Sequence, residues 1–62
     1  MPQLIIYPKD VVILHGIGYD AARRRIRRVA IHLGKPPHSQ VTIAEYCLFY
    51  NLREAEVRAA LV

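Results

Sequence analysis

Residues 10–33 read DVVILHGIGYDAARRRIRRVAIHL, and the division of this stretch decides the fold. A short apolar segment stops at Gly16, since glycine enters the left-handed conformation without steric cost. Gly16-Ile17-Gly18 makes a turn that places Ile17 between two helices, and a longer helix begins near Tyr19. At roughly 100° per residue, Ala22, Ile26, Val29 and Leu33 share one face, with Tyr19 and Ala30 at its edge. Arg23, Arg24, Arg25, Arg27 and Arg28 fill most of the remaining arc, and Ile31 projects into the middle of it.

Charge placement gives this helix its meaning. The formal net charge is +4, yet residues 21–35 alone hold five Arg, one Lys and no acid, a local +6 against −2 for the rest. A basic block on a mildly acidic body makes a directional field suited to a polyanion. The plainer alternative is a solvated helix face.

Working outward, Pro8 suits a first helical position, where its missing N–H would be unpaired anyway. Asp10 places a negative charge in the first turn, complementing the helix dipole. Val11, Leu14 and His15 recur at helical spacing, widened by Val12 and Ile13, so the first helix spans about Pro8 to His15. Before it, MPQLIIY has no helical spacing and reads as an extended arm or edge strand. Leu4, Ile5 and Ile6 would point to both faces and need cover from their own helices or a partner chain.

Gly34 ends the second helix and Pro36-Pro37 prevent its continuation. KPPHSQV, residues 35–41, is a loop with room for a small β-turn at most. Thr42-Ile-Ala-Glu45 is a capping box, a specific helix start. The third helix covers about Thr42 to Tyr50, with Ile43, Tyr46, Cys47 and Tyr50 on one side and Leu48 and Phe49 on the other. A helix apolar nearly all round is expected to be sandwiched, in so small a protein between two subunits. Asn51 suits a left-handed turn. The last helix, about Arg53 to Leu61, turns Val57, Ala60 and Leu61 inward and pairs Glu54 with Arg58.

These elements predict one domain, residues 1–62: all-α, four short helices as two successive helix-turn-helix pairs, with a short extended N-terminal arm. Sixty-two residues lie near the lower limit for independent folding, so self-association is the easiest source of extra burial. A lone Cys47 excludes an intrachain disulfide and favours a reducing cytoplasm. Apolar runs are too short for a bilayer, and no leader pattern is seen.

His15, His32, His38 and Cys47 lack zinc-ligand spacing, Cys47 has no activating neighbour, and no Gly-rich phosphate loop occurs. Neither a metal, a cofactor nor an enzymatic activity is expected.

DVVILHGIGYDAARRRI, residues 10–26, resembles the helix-turn-helix of lac-repressor-type regulators, roughly D-V-A-x-x-A-G-V-S-x-x-T-V-S-R-V-L. The match includes Asp10, Val11, Leu14, Gly16, Ile17, Ala21, Ala22 and Arg24. From about Tyr7 to Leu61 the chain is also similar to short, uncharacterised bacterial proteins of a DNA-binding type, of the form YPKDV…G…A…R…HLGK…VT…E(F/Y)C…L…EVR…L.

The resemblance implies that Tyr19, Asp20 and Arg24 reach base edges while Arg23 lies nearer the phosphates. Arg27, Arg28 and Lys35 would add phosphate neutralisation, and Arg24 suits guanine O6 and N7. Gly18 stands where the pattern has Ser and Arg25 where it prefers an apolar residue, and Asp20 would bring the wrong charge near phosphates, although it could accept from cytosine N4.

The expected function is non-enzymatic binding of duplex DNA, as a small transcriptional regulator or mobile-element accessory factor. The expected form is a homodimer through helix three (Leu48, Phe49) and the arm. The alternative is a protein-interaction module whose basic helix meets an acidic partner.

Overall fold

The structure, a computed structural model, describes residues 3–62, so the first two residues of the expected arm lie outside the described residues. In chain order the elements are β1 (Ile5–Ile6), α1 (Pro8–His15), α2 (Tyr19–His32), β2 (Val41–Thr42), α3 (Ile43–Tyr50) and α4 (Glu54–Ala60). The fold is mostly helical with four helices, as expected, and it adds a small antiparallel sheet.

That sheet pairs Ile5 with Thr42 and Ile6 with Val41, and the Ile43 amide donates to the Leu4 carbonyl at 2.9 Å. Ile6 therefore finds cover within its own chain, buried with Val41, while Leu4 stays 65% exposed. Where a plain loop with at most a β-turn is expected, the segment before α3 supplies the partner strand. A two-residue strand is too short to show period-2 alternation.

Helix stops follow backbone chemistry. Gly16 is left-handed (φ 63) and its N–H returns to the Val12 carbonyl at 2.8 Å. After α2, Gly34 (φ 75) donates to Ile31 and Lys35 to Ala30, a Schellman arrangement that satisfies two orphan carbonyls. Asn51 plays the same part after α3 at φ 57, with Leu52 N–H bonded to the Cys47 carbonyl. At the start of α3 the capping box is complete: Glu45 N–H donates to Thr42 Oγ1 and Thr42 N–H to Glu45 Oε1, each 3.0 Å.

Asp10 does more than complement a dipole. It is buried, and its Oδ2 accepts from the Tyr7 N–H at 2.9 Å and Gln3 Nε2 at 2.7 Å. One carboxylate thus caps α1 and ties down the arm. At the far end of the chain Arg58 pairs with Glu54 at 2.9 Å and also donates to the Gln3 carbonyl, latching α4 to the arm.

The core gathers Val11, Ala22, Val29, Val41, Ile43 and Tyr46, all at most 1% exposed. Each large member contributes roughly 1.5–3 kcal/mol of burial before chain entropy is set against it. Ile17 packs against this cluster from the turn, as its position predicts.

Three positions expected inside, Ile13, Leu33 and Ala60, are exposed, and Phe49, expected on the outer side of α3, turns inward. Leu33 is exposed because α2 has ended at His32 and the chain is already turning. Ala60 is exposed near the end of α4, and Phe49 packs inward against the core while Leu48 alone points out.

Candidate nucleic-acid interface

Helix α2 begins in open backbone. Gly18 at its N-cap has ordinary extended angles (φ −69, ψ 162) and no side chain to cap with. The first-turn residues Tyr19 and Asp20 are exposed. Its positive N-terminal end therefore faces solvent and favours an anion, partly opposed by the Asp20 carboxylate.

The five arginines do not form one face. Arg24 and Arg28 lie exposed on the outward arc, with Ile31, 58% exposed, near its centre. Arg23 and Arg27 are also exposed but sit on the shoulder of α2 that meets β1 and the 37–41 segment. Arg25 occupies the opposite shoulder and is half-buried. Its guanidinium lies 5.3 Å from the centre of the Tyr50 ring, and its carbonyl accepts from the Tyr50 hydroxyl at 3.3 Å. Such a cation–π contact is worth about 0.5–1 kcal/mol. Arg25, an arginine where the regulator pattern has an apolar residue, is thus held by the fold.

The Arg25 shoulder is aromatic throughout. Tyr50 packs on Tyr46 and Phe49 at ring separations of 4.8 Å, and His32 meets the edge of Phe49 at 4.9 Å. Fully buried Tyr46 is hydrogen-bonded to His15 Nε2 at 2.7 Å, joining the end of α1 to α3. Burial pushes the Tyr46 hydroxyl up to about 12. Desolvation, assisted by the nearby Arg25 charge, holds His15 below its ordinary value. Both therefore sit neutral near pH 7. Cys47 is buried and its thiol is pushed up, first by desolvation and then by the Glu54 charge.

On the other shoulder, Arg23 and Arg27 border a cleft of about 250 Å³. Its other walls come from Ile5 to Pro8 and from Pro37 to Val41. No acid lines it.

Of the residues the sequence nominates, Tyr19, Asp20, Arg23, Arg24, Arg27 and Arg28 are all exposed along α2. Lys35 differs. It bridges to Glu45 at 3.0 Å and 3.1 Å and donates to the Gln40 carbonyl at 3.3 Å. With the Thr42 N–H as the larger influence, Lys35 holds the Glu45 carboxyl below its usual value. Among the described residues, none of the five arginines has an acid within salt-bridge range. Also among them, no cluster of three His, Cys, Asp or Glu is placed to hold a metal ion, and no helix is long and apolar enough to cross a membrane.

His38 and Ser39, which line the cleft, carry no signal in the sequence: they are polar residues in a Pro-rich loop, joined to Arg23 only by the strand pairing. Comparisons with protein-family models, with curated proteins and with solved structures returned no match for this chain.

Proposed function

We propose that this protein binds duplex DNA without catalysing a reaction, using α1 and α2 as a helix-turn-helix and α2 as the element that enters the major groove. The supporting observation is four exposed arginines, Arg23, Arg24, Arg27 and Arg28, along one helix with no acid paired to any of them. Unpaired guanidinium groups at this density repel one another, and phosphates relieve that repulsion. In this docking Tyr19, Asp20 and Arg24 face base edges, while Arg23, Arg27 and Arg28 contact phosphates. Lys35, already engaged by Glu45, contributes least. A small transcriptional regulator or a mobile-element accessory factor, working in the cytoplasm, fits this chemistry.

The deciding measurement is the binding isotherm on random duplex across salt. With three phosphates neutralised, by Arg23, Arg27 and Arg28, the log–log slope is about −2.7. Absence of duplex binding at low salt rejects the reading. Arg24→Ala should flatten sequence preference by about 1–3 kcal/mol per recognised base.

A homodimer through α3 belongs to the same proposal. Leu48 is 84% exposed on a helix whose other large apolar side chains are buried or half-buried, and a second subunit would cover it. Light scattering that finds a monomer at high concentration rejects this part. A second reading, an acidic protein partner, draws on Ile31: an exposed apolar residue ringed by arginines suits a protein surface as well as a thymine methyl.

A further inference from the structure

The cleft on the Arg23–Arg27 shoulder continues into a second depression. Tyr7 and Pro8 belong to both: on one side they meet Arg23, Arg27, His38 and Ser39, and on the other Lys9 and Tyr19. Tyr7 and Tyr19 are 43% and 57% exposed. The first depression is cationic and, among the described residues, lined by no acid, and the second is a shelf of Tyr7, Pro8 and Tyr19 beside Lys9. At about 250 Å³ the first falls just under the roughly 300–1,000 Å³ of whole small-molecule sites. It suits a phosphate and its sugar, with the remainder of a ligand lying outside on the shelf.

We propose that the Arg23–Arg27 cleft takes the phosphate of a nucleotide unit whose unpaired base stacks on the Tyr7–Tyr19 shelf. Two guanidinium groups one helical turn apart match the oxygens of a phosphate. The Ser39 hydroxyl and His38 ring, on the opposite wall, supply further donors. Tyrosine rings stack bases of any identity. A duplex keeps its bases inside, so the shelf reads a ligand that a duplex does not offer, while Arg23 and Arg27, phosphate contacts in the duplex reading, are shared by the two ligands. The source is either a free mononucleotide or a single-stranded segment.

Chemical-shift titration of the intact protein tests this with four probes: inorganic phosphate, thymidine 5′-monophosphate, a short oligodeoxythymidine and a duplex. Inorganic phosphate should move Arg23, Arg27 and the His38 to Gln40 amides and leave both shelf rings still. The monophosphate should move the same residues together with the Tyr7 and Tyr19 ring protons.

Arg23→Ala with Arg27→Ala should weaken both ligands roughly tenfold or more. Tyr7→Ala should weaken the monophosphate roughly fivefold or more and leave inorganic phosphate unchanged. Should Tyr7→Ala disturb the fold, Tyr19→Ala, further from the sheet, carries the same test. An oligonucleotide that binds at least about tenfold tighter than the monophosphate supports a single-stranded source, and equal affinity supports a free nucleotide. The proposal is overturned if the double arginine variant binds like wild type, if the rings never move, or if no probe gives a saturable shift. Loss of duplex binding alone would reject the helix-turn-helix reading and leave this site standing, and duplex binding without the shelf shifts would do the reverse.

Discussion

Arg23 and Arg25 stand two residues apart on the same helix and have opposite surroundings. Arg25 turns to the α3 side, where Tyr50 offers a ring face and Tyr46 a buried hydroxyl. Arg23 turns to the arm side, where the cleft offers backbone, a histidine and a serine but no carboxylate. A guanidinium stacked on an aromatic face is already partly compensated and serves the fold. One left without a counter-charge keeps its electrostatic potential for a ligand. A run of arginines is therefore not a functional unit, and its members are sorted by the neighbours that tertiary packing brings to each.

The largest blow to the α3 side is Tyr46→Ala, which removes the His15 partner and the fully buried ring on which Tyr50 packs. We expect about 3–5 kcal/mol of lost stability, taking the side chain as phenylalanine-sized, enough to unfold a domain of this length at 25 °C by circular dichroism. A native-like melt would mean that the aromatic shoulder is not structural.

Arginine substitutions divide the two sides more finely. Arg25→Ala should cost about 1 kcal/mol in denaturant unfolding and leave the salt slope for DNA unchanged. Arg27→Ala with Arg28→Ala should alter stability by less than about 0.5 kcal/mol and make the slope shallower by about 2. Interchanged results would reverse the assignment of the shoulders.

Gly18→Ser should stabilise the protein by about 0.5 kcal/mol, because the backbone there is ordinary and nothing lies within 4 Å of an added Cβ. The gain is read as a higher denaturant midpoint with an unchanged m-value.

The gentlest test is acid titration of the α3 side. His15 has a lowered value in the fold, so between the folded and unfolded values the unfolded chain binds more protons. This contribution is complete above about 6.5 and is lost as pH falls through the folded value. His15→Gln, which keeps a hydrogen-bonding group but does not titrate, should remove that slope and leave the Glu45 contribution, which fades at lower pH. A slope unaffected by the substitution would show that His15 is not its origin.

Local chemistry made the helices legible. Pro8, Gly16, Gly34, Asn51 and the Thr42–Glu45 box each act within one turn of their own residue, and α1 to α4 begin and end within a residue or two of where those signals place them. The exposure of Arg23, Arg24, Arg27, Arg28 and Ile31 followed from helical period alone. What required the folded chain was every relation between distant segments: Val41 as partner of Ile6, Gln3 donating to Asp10, Arg25 over Tyr50, and Lys35 drawn to Glu45. The departures at Gly18 and Arg25 were visible in the sequence, but only tertiary packing shows that one leaves a helix end open and the other is aromatic filling.

The pairing of Ile5 with Thr42 has a kinetic consequence. It closes a loop that contains all of α1 and α2, so this sheet pairing forms only once the chain between its strands has been brought together, although Asp10 can already hold the arm against α1. Closure entropy of that size is met before its contacts repay it, and sequence-distant pairing slows folding relative to a simple helical bundle. The basic helix thus assembles under its own charge repulsion, with the sheet arriving late. Multivalent anions, by quieting that repulsion, should shorten the folding time even where they leave the final structure unchanged.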